Sequence, residues 1–477
     1  MSKEIAGIIY EKAIEARAKI SGLINLHLLI GKSKDDDLYR ALCLDSGIIC
    51  ISNSKVLNKE TIDYLFENSC IMALNQFYRA IKNGEENVLS GRYLDREYWE
   101  TYDNLILEVK NNTLNKILKV LNCTYTLEKD ELIIDTTNLK NAPIPEELSE
   151  QMRASYYFMG TLLARFKHVE ISFPGGCNTG ARPIDLHIKG FEALGAKVEV
   201  IKNKYIITAD KLVGARIKLD IASVGATINL MLASTYAEGE TIIENAAREP
   251  EIVNVAKFLI SMGCNITGAG TSTIVVRGSN HLDNGITEIL PDRIEASTYI
   301  IIGALTGKDL KIKGFVKEDI NAVLIKLKEI GANFEINGDT LSISKCTNIL
   351  PTNITTQVFP GFPTDIQQVF TVLLTQAKGT STITETIYES RFVSDGLLNK
   401  MGASTQAEKN VLQVTGPTPL TGKELYIPDL RGGAALVAAA LIASGTTILD
   451  NIPLILRGYE DIVEKLKSVG ADLELID

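Results

Sequence analysis

Cys177 stands in the segment FPGGCNTGARPIDLHIKG (173–190), with Gly175 and Gly176 before it and Arg182 five residues after. The thiolate is the reactive form of cysteine, and a nearby cation lowers a thiol's pKa. A glycine-rich loop carrying Arg182 can therefore present Cys177 to a substrate as nucleophile or proton donor. The same composition also suits a passive cysteine in a turn. A second set of chemically capable residues opens apolar helical stretches: Arg153, the Ser223-Val224-Gly225 turn, Arg293, Asp365 and Arg431. Helix N-termini carry free N–H groups and a partial positive charge, so several of them gathered with arginines would hold a polyanion. Any one of these charges taken alone suits a surface cap or ion pair; recurrence at equivalent positions favours a ligand.

Other chemistries lose support. The four histidines, at 27, 168, 187 and 281, lack metal-ligand spacing, and no metal or cofactor is expected. His187, one helical turn past Pro183, reads as a structural hydrogen-bonding residue. Neither GxxxxGK[ST] nor a GxGxxG after a strand occurs, which argues against nucleotide hydrolysis and dinucleotide redox chemistry. With 49 Lys+Arg against 59 Asp+Glu the net charge is −10, so a general nucleic-acid or anionic-membrane binder is disfavoured and any anion must be met by a local cluster of cations.

Seven scattered cysteines, at 43, 50, 70, 123, 177, 264 and 346, form no CxxC pair and suggest a reducing compartment; apart from Cys177 they read as core. The first residues, MSKEIAGIIYEKAIEARAK, lack the apolar run of a secretory signal. The longest apolar stretch, Ala434 to Ala443, falls short of the roughly 20 residues a bilayer needs and reads as a buried helix. A cytoplasmic protein with no membrane partner is expected.

The elements that must position these residues repeat. An amphipathic helix ends in Gly and a small residue, then a two-strand hairpin follows, with signature glycines at 195, 263, 331, 402 and 470, spaced 68, 68, 71 and 68 apart. A weaker copy puts Asn122 at that position, 73 residues before Gly195; Gly and Asn are the residues that take the left-handed conformation ending a helix. Each interval also holds a turn, an apolar helix and a strand. The unit reads strand, helix, strand, helix, strand, strand, and units that each expose an apolar face must stack to build a core. Six copies divide into two domains of three, and a cleft between similar domains is a default ligand site.

Seven motifs then carry a resemblance: PGGCNTGARPIDLH, ENAAREPEIV (244–253), LPDRIE (290–295), FPTDIQQVF (362–370), TETIYESRF (384–392), DLRGGAALV (429–437) and RGYE (457–460). In this order they resemble the UDP-N-acetylglucosamine enolpyruvyl transferase family, with EPSP synthase as the wider relative, from about residue 113 onward. The resemblance implies a two-domain inside-out α/β barrel of six βαβαββ repeats, three per domain. It gives residues 1–50 as an extension packing on the second domain, 51–289 as domain I with the Cys loop and 290–477 as domain II. The implied reaction moves the enolpyruvyl group of phosphoenolpyruvate onto the 3-hydroxyl of UDP-N-acetylglucosamine through a tetrahedral ketal, in a monomeric enzyme of peptidoglycan precursor synthesis and a target of fosfomycin.

By the same resemblance Cys177 is the proton donor that can add to phosphoenolpyruvate, and Asp365 is the base at the hydroxyl. Arg153, Arg431 and Arg457 surround the reacting groups, with Arg457 counted among the catalytic residues. Arg182, Pro183, Ile184, Asp185, Leu186, Ser223, Val224, Gly225, Ile387, Arg391 and Asp429 contribute to substrate binding. Two departures stand out. The family's early lysine has two candidates here, Lys55 and Lys82, and Ile221 replaces the lysine before the SVG turn. They motivate a second reading, an enolpyruvyl transferase for another nucleotide acceptor such as UMP, and a third, a catalytically silent paralogue. The first 112 residues, with Trp99, read as a remodelled first repeat plus a helical extension, or as a partner-binding module.

Overall fold

A computed structural model describes residues 28–32, 38–43, 47–52, 113–128, 131–173, 184–388 and 391–475. Lys55, Lys82, Trp99, Cys177, Arg182 and Pro183 lie outside the described residues. The chain divides into two compact units, one holding the chain up to Lys140 with Ile144–Met152, the other Asn141–Pro143 and Arg153–Leu475.

In the first unit β1 (Leu28–Lys32), β2 (Leu38–Cys43) and β3 (Gly47–Ser52) form an antiparallel sheet in that order. The run GIICIS is thus a strand. Residues 113–120 are helical and bury Ile117 and Leu118. They lead into the hairpin of β4 (Thr124–Glu128) and β5 (Glu131–Asp135).

The second unit shows the repeat most fully twice. In its first complete copy, β9 (Arg216–Lys218), the helix Val224–Ser234, β10 (Glu240–Glu244), the helix Pro250–Ser261, β11 (Asn265–Thr267) and β12 (Thr273–Arg277) follow one another. The sheet order is β11-β12-β10-β9, with β9 parallel to β10 and the other pairs antiparallel. The second copy runs β16 (Asn353–Thr355), the helix Gln367–Leu374, β17 (Gly379–Thr384), the helix Asp395–Lys400, β18 (Ser404–Glu408) and β19 (Val411–Gly416). Its order, β16-β17-β19-β18, is the same pattern. The strands alternate as half-buried strands must: in β12, Ile274 and Val276 are buried between exposed Thr273 and Arg277.

Three-stranded sheets β6-β8-β7 (His168–Ser172, Lys204–Thr208, Lys197–Ile201) and β13-β15-β14 (Leu310–Lys313, Thr340–Ile343, Phe334–Asn337) carry shorter versions. A parallel pair, β20 (Glu424–Tyr426) with β21 (Ile448–Asp450), carries another.

The predicted helix ends recur in detail. Asn122, Gly195, Gly263, Gly331, Gly402 and Gly470 all have positive φ, between 61° and 109°. At each, the residue's N–H bonds the carbonyl three back and the next N–H bonds the carbonyl five back, as in Gly331 N to Lys328 O (3.0 Å) and Ala332 N to Leu327 O (2.9 Å). This closure satisfies carbonyls the helix leaves free and turns the chain into the hairpin. After Gly470, residues 471–475 form no strand.

The helices Arg293–Thr306, Gln367–Leu374 and Leu430–Ala440 pack on one another. All eight residues of Gln367–Leu374 are buried, as are Gly432 to Ala439; helices apolar all round belong inside a core. The apolar run beginning at Ala434 is thus a buried helix, ending at Ala440 rather than Ala443. No helix among the described residues is long and apolar enough to cross a membrane. Cys123, Cys264 and Cys346 are buried in the core.

Candidate active site

Two clusters of side chains form around the helix starts. The first surrounds Asn229, a polar residue in the apolar helix Val224–Ser234. Its Oδ1 accepts from Gly160 N at 2.9 Å, so its Nδ2 must be the donor to Tyr156 O (3.1 Å) and to His187 Nδ1 (2.9 Å). A ring nitrogen that accepts is unprotonated, which leaves the neutral imidazole's proton on Nε2. Burial pushes His187 down to about pKa 4, with Arg153 adding to the shift and Asp185 opposing it, so the ring is neutral near pH 7.

Gly225 sits against this ring: a Cβ there would lie 2.9 Å from Tyr156 Oη and 3.2 Å from His187 Nε2, so a side chain does not fit. Ser223 caps the helix by accepting from Ala226 N (3.3 Å), and Thr227 Oγ1 accepts from Ala247 N (3.0 Å), fastening the ENAAREPEIV segment to it. Arg153 opens the short 3-10 turn Arg153–Tyr156, with its guanidinium 5.6 Å from the Tyr156 ring. Ile184 and Leu186 are buried while Asp185 is exposed, so of the three only Asp185 presents its side chain to solvent.

The second cluster centres on Asp365, in the 3-10 turn Thr364–Ile366 that leads into Gln367–Leu374. Arg391 donates to its Oδ1, and Arg431 reaches Oδ2 with Nε (3.3 Å) and Nη2 (3.2 Å). The Arg391 side chain is 4% exposed and that of Asp365 36%. A nearly buried guanidinium needs such a counter-charge, and the carboxylate itself stays partly open to solvent. Asp429 accepts from Arg431 N and Gly432 N, both at 2.9 Å, so it caps Leu430–Ala440 and fixes the backbone from which Arg431 projects.

Ile387 is held through buried Glu385, which accepts from Ile387 N (2.7 Å), Tyr388 N (3.2 Å), Thr356 Oγ1 and Thr364 Oγ1 (both 2.8 Å). Arg457 is exposed at the end of the turn Pro453–Leu456. Arg293 instead pairs with Glu251 at 3.3 Å, and Ile221, before the Ser223 turn, is 67% exposed.

Asp365, Arg391, Arg431 and Asp429 thus come together, as do Arg153, Gly225 and the segment 184–187. Sequence reasoning missed Asn229, Glu385 and Tyr459, whose hydroxyl accepts from Arg431 Nη1 at 3.1 Å; these residues hold the groups rather than announce themselves. A lone Asn in INLML and a Glu between two threonines in TETIY were the signals available. No group of three potential metal ligands occurs among the described residues.

Residues 103–466 match the model of the EPSP synthase (3-phosphoshikimate 1-carboxyvinyltransferase) family, and the chain belongs to that family of carboxyvinyl transferases. Within it, the chain is 46% identical over 361 residues, 76% of this chain and 85% of the relative, to UDP-N-acetylglucosamine 1-carboxyvinyltransferase 2 of Listeria monocytogenes serovar 1/2a. It is also 46% identical over 362 residues, 76% and 84%, to the protein of the same name in Bacillus subtilis strain 168. Among solved structures, the enolpyruvyl transferase NikO from Streptomyces tendae superposes with a TM-score of 0.69 at 25% identity, over 76% of this chain and 87% of that one. An EPSP synthase from Acinetobacter baumannii shares the fold, with a TM-score of 0.58 at 18% identity over 77% and 88%.

Proposed function

We propose that this chain transfers the enolpyruvyl group of phosphoenolpyruvate to the 3-hydroxyl of UDP-N-acetylglucosamine, releasing phosphate, as a cytoplasmic monomer supplying peptidoglycan precursors. The observation that carries this reading is the 46% identity to carboxyvinyltransferases of that name over most of the chain. The Asp365 cluster is chemically suited to the reaction. The acceptor oxygen attacks C2 of phosphoenolpyruvate while Asp365 takes the hydroxyl proton and Cys177 delivers a proton to C3. The ketal then loses a C3 proton and phosphate, restoring the double bond. Arg153, Arg391, Arg431 and Arg457 would balance the carboxylate and phosphate charges where they develop. Arg182, Pro183, the backbone of 184–186, the Ser223-Val224-Gly225 turn, Ile387 and Asp429 would seat the nucleotide sugar.

The repeated helix closures and the matching four-stranded sheets support six βαβαββ units in an inside-out barrel. They also motivate a domain I over 51–289 and a domain II over 290–477, with 1–50 as an extension.

Exposed Ile221 favours a second reading, a different nucleotide acceptor, because an apolar side chain there cannot balance a phosphate. Phosphate release from phosphoenolpyruvate, assayed separately with UDP-N-acetylglucosamine and with UMP, tests both. Release with the sugar nucleotide is expected. Release with UMP alone would defeat the first reading, and release with neither would leave a silent paralogue.

A further inference from the structure

Tyr459 is fully buried, and its hydroxyl lies between Arg431 Nη1 (3.1 Å) and Thr298 Oγ1 (3.1 Å). Thr298, also fully buried, bonds the Ile294 carbonyl at 2.9 Å, one turn back on the helix Arg293–Thr306. The direction of this chain is forced. A carbonyl only accepts, so the single hydroxyl proton of Thr298 is committed to Ile294 O. Thr298 Oγ1 must then accept from Tyr459, whose own proton is thereby spent, leaving the phenolic oxygen to accept from Arg431. Gly458 lets the segment close in: a Cβ there would lie 2.7 Å from a Leu430 methyl, next to Arg431 in sequence.

The guanidinium is a rigid planar fork. Holding Nη1 on Tyr459 fixes the plane in which Nε and Nη2 meet Asp365 Oδ2, at 3.3 and 3.2 Å. Without that anchor the fork can turn about its stem, and Asp365 loses a defined partner.

We propose that Tyr459, backed by Thr298, is a positioning residue for the transfer reaction: it acts through Arg431 to set the charge and orientation around Asp365. This rests on the reading of Asp365 as the base at the acceptor hydroxyl. Tyr459 and Thr298 are themselves fully buried and reach the site only through Arg431, so their effect belongs in the turnover step rather than in acceptor affinity.

The test compares Tyr459→Phe, Thr298→Val and the double variant with the parent. Tyr459→Phe keeps the ring and its packing. Its kcat should fall roughly tenfold, the scale of one lost hydrogen bond to a charged group. The KM for the acceptor should stay within about twofold, because Tyr459 and Thr298 are buried behind Arg431 and the Arg431 charge is kept. The acid limb of the kcat–pH profile should move upward as Asp365 loses part of its cationic partner. Thr298→Val should move it the same way by less, and the double variant should be no worse than Tyr459→Phe, as members of one chain are not additive. An unmoved pH profile, or a loss of activity that follows thermal stability alone, overturns the proposal.

A readout independent of catalysis is the slowly exchanging Nε–H resonance of Arg431 in a 15N-arginine sample. It should be sharp in the parent and broadened in Tyr459→Phe. If it is unchanged, the relay does not position Arg431, whatever Asp365 does. If it broadens while Asp365→Asn retains turnover, the positioning stands and the base assignment falls.

Discussion

Asp395 opens the short helix Asp395–Lys400, four residues after Arg391, and is 4% exposed with no hydrogen-bond partner for Oδ2 among the described residues. Burial pushes its carboxyl up from 3.8 to about 8. A buried acid with a raised pKa keeps its proton where the unfolded chain has released it. Its contribution is therefore fully present below pH about 4 and lost as pH rises through about 8. Each pH unit between those limits removes about 1.4 kcal/mol, so the ceiling is about 6 kcal/mol.

Asp395→Asn keeps the shape and cannot titrate. Urea unfolding of both proteins at pH 5, 6, 7 and 8 should show the variant gaining on the parent by about 1.4 kcal/mol per pH unit up to about pH 7, with the two slopes converging above pH 8. The parent should also lose activity above pH 8 before the variant does, because loosening this helix frees the chain that carries Arg391. Parallel stability curves, differing by a constant across the range, would show that Asp395 is ionised or hydrated in the folded chain and would refute the argument.

Asp365→Asn should lower kcat by about a hundredfold or more, the scale of a lost general base, while acceptor affinity changes by less than about threefold; equal effects on both, by steady-state kinetics and calorimetry, would reduce Asp365 to a binding residue. Asn229→Leu leaves Gly160 N, Tyr156 O and His187 Nδ1 without their buried partner, and should cost about 3 kcal/mol or more in chemical denaturation. A change below about 1 kcal/mol would mean that water replaces the amide.

Much of the scaffold was legible because its signals are local. A helix end needs one residue that tolerates positive φ, so the near-constant spacing of Gly195, Gly263, Gly331, Gly402 and Gly470 exposed the repeat, and Asn122 could be added on the same physics. The Ser223 turn and Arg431 were legible as helix starts for the same reason, and the caps there bond N–H groups two or three residues ahead, Ser223 in the one and Asp429 in the other. Arg293 read like its counterparts, yet its partner is Glu251, 42 residues earlier, and local pattern carries no trace of that pairing.

The recurring helix closures with their turn chemistry and, through the motifs, the family could therefore be read from the sequence, while the full order of strands and helices appears in two of the copies. Only tertiary structure decided which charges meet. Asp365 finds Arg391 at a separation of 26 residues and Arg431 at 66, Asn229 reaches Gly160 across 69, and Tyr459 reaches Thr298 across 161. Such pairs depend on the rotation of each packed helix and on a separation of a few ångströms between elements remote in the chain. Coulomb and hydrogen-bond energies fall off too steeply for residue identity alone to fix them.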